Sequence, residues 1–191
     1  MKQILSGFLL VSLSAECATG ANLQITVRLV NGDVIAGRIR LAGERTAERI
    51  VRTAGIELIW MECGRTIPSP CGKNLNPGEF WLHVVAGEAP RSLPDAAGFA
   101  VLYPTTWGRD GYAGVFYRKV IETARSEECD PGLMLGATMA HEIGHLLLGS
   151  NAHSDRGVMR ARVKREDVMQ ASRGELRFTT ADAEADRKSV V

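Results

Sequence analysis

Between Leu23 and Val30 apolar and polar positions alternate, with Leu23, Ile25, Val27 and Leu29 on one side and Gln24, Thr26 and Arg28 on the other. A period of two predicts a half-buried strand. Asn31-Gly32 follows and invites a hairpin, but the period then changes. Ile35, Ile39, Ala42, Thr46, Ile50 and Ala54 are spaced by four, three, four, four and four. That spacing predicts one amphipathic helix over 34–54, with Gly43 as its weak point and Gly55 as its stop. Residues 56–61 read as a second strand. Strand, helix, strand is a right-handed crossover, which makes the first two strands parallel. Further strands are predicted at 79–86, 97–103 and 112–116, with 104–111 a turn-rich loop. Phe116, Val120, Ile121 and Ala124 predict a short helix ending at Arg125. Residues 133–148 are apolar almost throughout and predict a long helix, with Asp130 as N-cap, Pro131 at the first position and Gly149 as the stop. A mixed-charge helix near 161–172, an extended piece at 175–178 and a polar helix from about Thr179 complete the chain. No repeat, low-complexity tract or linker interrupts the pattern, so it describes one α+β domain with a mixed sheet.

The stretch before Leu23 follows a different rule. Lys2 is the only charge before Glu16, and residues 4–15 between them are apolar and small. Spanning a bilayer takes about 20 apolar residues, so this run is too short for that. It reads as the core of a secretory signal over residues 1–20, with Ala18 and Gly20 as the small residues at the cleavage site. Cleavage after Cys17 is a second possibility, and Glu16 weakens a lipid-anchor reading of that cysteine. The competing reading is an apolar first strand. Export would leave a single domain at 21–191, secreted or periplasmic, off the membrane once the signal is cleaved, and monomeric.

Composition sharpens this in two ways. Of 191 residues 45% are hydrophobic and 24% charged, which excludes wholesale disorder. Lys+Arg 23 against Asp+Glu 22 leaves a net charge of +1, so there is no electrostatic case for nucleic acid or an anionic membrane as partner. Signal cleavage would remove Cys17 and leave Cys63, Cys71 and Cys129. Cys63 and Cys71 flank a loop carrying Pro68 and Pro70, which favours a turn back and makes them the disulfide candidates. Cys129 is then odd; three unpaired buried thiols are the other reading.

The candidate chemistry lies in one window, His141-Glu142-Ile143-Gly144-His145-Leu146-Leu147-Leu148-Gly149-Ser150-Asn151-Ala152-His153. His141 and His145 are four apart on one helix, so their rings share a face, with Cβ atoms about 5–6 Å apart. Two imidazoles so placed can hold one tetrahedral Zn²⁺. Glu142 points beside the metal, where a carboxylate can take a proton from bound water. Gly149 can turn the chain back under the metal and return His153 as a third ligand. Three ligands with one open position is what a catalytic zinc needs. The competing reading is a chance pattern of ordinary, partly buried helix histidines. After His153, a methionine in a tight turn, Met159, can lie beneath the imidazoles as a soft apolar floor.

Residues 141–159 resemble the metzincin zinc metallopeptidases, whose signature is HExxHxxGxxH followed by a Met-turn. The run His153-Ser154 to Val158-Met159 is similar to the matrixin-like branch, and the window is also similar to small secreted bacterial proteins of the HEIGHLLLG form. The signature covers about a tenth of the chain. The resemblance implies a zincin-like catalytic domain with one Zn²⁺ on His141, His145 and His153, Glu142 as general base and Met159 in the Met-turn. It implies peptide or protein substrates, extended along the fourth strand. It departs from the family spacing: Gly149 comes one residue late and His153 two residues late. Asp155, or Glu166 from the later helix, therefore stays open as the third ligand.

Other candidates point elsewhere. His83 sits in an apolar strand run outside any ligand spacing, and Met169 reads as helix packing. Arg160, Arg162, Lys164 and Arg165 are followed by Glu166 and Asp167, which reads as a solvated helix face. Tyr103, Tyr112 and Tyr117 have no assigned place. Ser154 has no base at motif spacing. The sequence thus predicts a secreted zinc endopeptidase; the alternative is a secreted domain that holds zinc, binds, and does not cleave.

Overall fold

The computed structural model describes residues 23–64, 71, 74–105, 108–179 and 182, with the side chains of 104, 105 and 108–110 excepted. The signal expected at 1–20 lies outside the described residues, as does the terminal helix apart from Thr179 and Asp182. Among the described residues no helix is long and apolar enough to cross a membrane.

Five strands form one sheet: β1 Leu23–Val30, β2 Ile56–Cys63, β3 Glu79–Val85, β4 Gly98–Thr105 and β5 Gly108–Phe116. Their order is β2-β1-β3-β5-β4. β1 pairs in parallel with β2 and β3, and β3 with β5; β4 alone runs antiparallel, against β5. The sheet is therefore mixed, and β4 is its edge. Four helices accompany it: α1 Gly37–Arg52, α2 Tyr117–Ser126, α3 Pro131–Leu148 and α4 Arg165–Arg173. The chain is α+β.

Several expectations need correction. The first helix begins at Gly37 rather than at 34. Asn31 takes a left-handed conformation (φ 57°), and Gly32–Val34 form a 3₁₀ turn closed by Val34 N on Asn31 O and Ile35 N on Gly32 O. Those bonds tie up the groups that an earlier helix start would use. The loop expected at 104–111 is mostly strand. Pro104 pairs with Arg109 and Thr105 with Gly108, extending the β4–β5 ladder. Proline is tolerated there because β4 is an edge, where a missing N–H breaks no ladder bond. The piece at 175–178 forms no strand; Arg177 O instead accepts from Val158 N at 3.0 Å.

α3 is apolar on all sides because it is buried on all sides. Met134, Leu135, Met139, Ala140 and Ile143 are each 1% exposed or less. Asp130 caps its start through Oδ1, which accepts from Gly132 N at 2.8 Å and Leu133 N at 2.9 Å. α1 crosses α3 at very short range. Gly43, a weak point by helix propensity, is a contact surface here: its carbonyl would lie 2.5 Å from a Cβ placed on Gly136, and Thr46 Cβ 2.4 Å from it. Backbone cannot yield as a flexible side chain can, so Gly136→Ala is expected to cost about 1–3 kcal/mol through overpacking. Urea denaturation would show this as a lower midpoint at unchanged slope.

Candidate metal centre

α3 carries His141, Glu142 and His145 to its buried C-terminal half, where they are 6%, 5% and 4% exposed. Gly149 ends the helix in the left-handed region (φ 59°), a conformation glycine adopts without a Cβ penalty. Ser150 is the pivot of the turn that follows. Its N–H donates to His145 O at 3.2 Å, and its carbonyl lies 2.8 Å from His145 Nδ1. The lengthened spacing is absorbed there, and the chain returns with His153 over the two helix histidines. Ring centroids of His153 lie 5.3 Å from His141 and 5.0 Å from His145. One ring nitrogen from each of the three lies within 4.8 Å of the others, so the three can hold a metal ion.

The donor chemistry fits a cation. His141 Nδ1 lies 2.8 Å from Val158 O and His145 Nδ1 2.8 Å from Ser150 O. A carbonyl only accepts, so in both rings Nδ1 carries the proton and Nε2 presents a lone pair. The two Nε2 atoms are 3.1 Å apart. At that distance two lone pairs repel, and neither ring can donate to the other unless one becomes a cation. Burial opposes that. It pushes His141 down to about 4, with His145 and His153 adding to the effect, and it lowers His145 as well. Neutral imidazoles with converging lone pairs suit a divalent first-row metal.

Glu142 stands beside this cluster, against the sheet edge. A Cβ built on Gly98 of β4 would lie 2.4 Å from Glu142 Oε1 and 2.7 Å from its Cδ. Glu142 Oε2 is buried and has no hydrogen-bond partner among the described residues. Burial pushes the carboxyl up to about 8. A desolvated carboxyl next to a metal-competent cluster is a common arrangement at reactive sites.

Below the helix, Met159 is 1% exposed, and a Cβ on Gly144 would meet its Sδ at 2.5 Å. Met159 thus packs on the helix at Gly144, next to His145 in the chain. The turn is closed by Ser154 N on Met159 O at 2.9 Å and by Ser154 Oγ on Arg156 O at 2.7 Å. Arg160 anchors it: Nε donates to Asp155 O at 3.1 Å, and the guanidinium pairs with Glu166 and Asp167. Neither Asp155 nor Glu166 joins the histidine cluster among the described residues.

A cavity of about 550 Å³ opens at the three histidines and Glu142. It runs between α3, α2, the stretch leading into β4 and residues 160–164. The basic run is therefore not a helix face. α4 starts only at Arg165, because Asp167 Oδ2 accepts from Lys164 N at 2.9 Å and fixes the helix start. Met169 is 44% exposed, so it is not packed as its spacing suggests. His83 sits on the sheet between Trp81, which is tilted against it, and Tyr112, which meets it edge-on. Tyr103 and Tyr112 alternate with the inward residues of their strands and stay partly exposed. Cys63 and Cys71 are joined by a disulfide with Cα atoms 5.6 Å apart, and Cys129 is a free, half-buried thiol. Gly98 gives no sign of itself in sequence: its partner, Glu142, lies more than forty residues away on another element, and no local pattern encodes that.

No protein-family description matches the sequence. No curated protein matches it either. Among solved structures, metalloproteinase-II from Bacteroides fragilis superposes with a TM-score of 0.50 at 11% sequence identity, over 87% of this chain and 53% of that one. The chain thus spans about half the length of that protein. At that identity the likeness speaks for the fold alone. The chain has an α+β fold shared with a metalloproteinase, consistent with a zincin-like architecture, and within it three histidines that can hold one metal ion.

Proposed function

We propose that the protein is a secreted, zinc-dependent endopeptidase of the metzincin type, with a matrixin-like turn after the third histidine. One observation carries this reading: ring nitrogens of three histidines converge within 4.8 Å beside a buried carboxyl whose Oε2 has no hydrogen-bond partner among the described residues. His141, His145 and His153 would hold the zinc. When bound, zinc supplies Lewis acidity, which acidifies water and polarises a carbonyl. Nδ1–H bonds to Val158 O and Ser150 O keep the two helix imidazoles in the tautomer that binds. Glu142 takes the proton from the attacking water and returns it to the leaving amine. It is ionised for this task once the positive charge of the occupied site offsets its desolvation. Met159 packs beneath as the Met-turn residue. β4 stands at one edge of the sheet, and an extended peptide can be added there as a further strand. Export rests on the apolar run at 4–15, and a peptide or protein is the expected partner of a monomeric domain.

The experiment is zinc stoichiometry on chelator-free protein, together with cleavage of a peptide library. Near one equivalent of zinc and metal-dependent cleavage are expected. His153→Ala is expected to weaken zinc binding by an order of magnitude or more, since it leaves two protein ligands. Zinc far below one equivalent in the wild type would remove the reading. Full zinc with no cleavage would favour the silent binding module instead.

Gly98→Ala supplies a separate check. The added methyl displaces the Glu142 carboxylate and leaves the histidines in place. The expected result is a fall in kcat of about 10²-fold, as expected for a misplaced reacting group, with zinc content unchanged. Equal activity in the variant would mean that the carboxylate is not held by this contact.

A further inference from the structure

We propose that the cavity beside the histidines selects an acidic side chain flanking the scissile bond, with Lys119 and Arg162 as specificity-determining residues. The inference rests on the peptidase reading and adds the substrate class. Consecutive Cα atoms of a substrate are about 3.8 Å apart. A peptide bond held at the histidine cluster therefore sends one of its two flanking side chains into the cavity that opens there.

On one wall of that cavity two cations share a single carboxylate. Arg160 faces the carboxylates of Glu166 and Asp167, and Glu127 Oε2 accepts from the backbone N–H of Arg165 at 3.0 Å. Lys119 and Arg162, both in the cavity lining, face Asp95. Asp95 Oδ2 lies 2.7 Å from Arg162 Nη2, while Oδ1 is 3.8 Å from Lys119 Nζ. The longer distance is an attraction without a hydrogen bond. The Lys119 ammonium makes no hydrogen bond among the described residues. An ammonium that shares one carboxylate with a guanidinium favours a second, incoming carboxylate.

Asp95 also shows the geometry such a carboxylate would meet, one acidic group between a guanidinium from beyond the Met159 turn and an ammonium from α2. Met134 and Val163 offer apolar wall to the methylenes of a glutamate. A lysine in the substrate would meet like charge, and a neutral side chain would leave the ammonium unpaired. Discrimination of this kind appears in kcat/KM, through pairing that only the matching side chain supplies.

The test uses internally quenched peptides that differ only at one flanking position, carrying Glu, Gln, Lys or Leu on either side of the bond. For the zinc-loaded wild type, kcat/KM for Glu at one flank is expected to exceed that for isosteric Gln by about tenfold, and that for Lys by more. Lys119→Glu and Arg162→Glu should each erase the preference or turn it toward Lys. Asp95→Asn, which removes the competing carboxylate, should enlarge it. Equilibrium binding of the same peptides to zinc-loaded Glu142→Gln separates recognition from chemistry. Cleavage without acid preference, or a ranking unmoved by both charge reversals, overturns the inference and leaves the peptidase reading standing. Acid-selective binding with no cleavage by wild type does the reverse. Neither cleavage nor selective binding overturns both.

Discussion

Glu142→Gln is expected to lower kcat/KM for any cleaved peptide by about 10³-fold or more while zinc content stays near that of the wild type, because general acid–base catalysis contributes about 10²–10⁴-fold and this carboxyl serves both proton transfers. The separation of the two readouts follows from geometry. The three imidazoles converge without help from Glu142, and their tautomers are held by Val158 O and Ser150 O. Glutamine keeps the size of the side chain and its place against Gly98, but it cannot take a proton. The measurement is kcat/KM on a quenched peptide beside metal analysis of the same sample. Retained activity would mean that another group takes the proton; lost zinc would mean that Glu142 has a structural role at the centre.

The same substitution is expected to stabilise the metal-stripped protein at neutral and alkaline pH. Burial raises the Glu142 pKa from 4.5 to about 8. A carboxyl raised in the folded state contributes stability that is present at low pH and lost as pH climbs from its unfolded value to its folded one. In wild type without metal, Glu142 therefore withdraws stability progressively between about pH 4.5 and 8. His141 acts with the opposite sign. Its pKa is lowered from 6.5 to about 4, so its burial costs stability as pH falls through that window. The two slopes oppose each other below pH 6.5, and the Glu142 slope stands alone above it. From pH 6.5 to 8 the stripped wild type should lose about 2 kcal/mol relative to Glu142→Gln, at about 1.36 kcal/mol per unit. Urea midpoints across that range, in chelator, measure the difference. Zinc at about 1,000 times its Kd should restore about 4 kcal/mol to either protein. A parallel pH dependence in the two proteins would show that Glu142 is not desolvated as placed.

These expectations depend on features that were unequally visible in the sequence. The long helix was legible to its caps. Asp130, Pro131 and Gly149 each satisfy or end the backbone by local chemistry, which a sequence records directly. β1 was legible to the residue, since strict alternation has one solution. The start of α1 was not, because a left-handed Asn31 and a 3₁₀ turn compete with helix over the same few residues. The strand extension through 104–105 and 108–111 was hidden for another reason. Pro104 and the glycines of β5 argue locally for a turn, and only pairing between β4 and β5 overrides them. The basic run at 160–165 read as helix face by composition; ion pairs with Asp95, Glu128, Glu166 and Asp167 decide where it lies instead.

At the centre the division has a clear physical basis. Residues four apart on a helix share a face whatever surrounds them, so the sequence alone determined that His141 and His145 lie together and that Glu142 points beside them. It also fixed the parallel start of the sheet. The extra residues around Gly149 left the place of His153 open, because the path of a turn depends on bonds to groups distant in the chain. Tertiary structure decided that place through Ser150, and it set Asp155 and Glu166 apart from the cluster. It also decided that Glu142 is buried with its Oε2 unpartnered among the described residues, that Gly98 leaves it room, and that Lys119 and Arg162 face one cavity. Each of those facts is a meeting between separate elements, which becomes definite only when the sheet, α1 and α3 close on a common core.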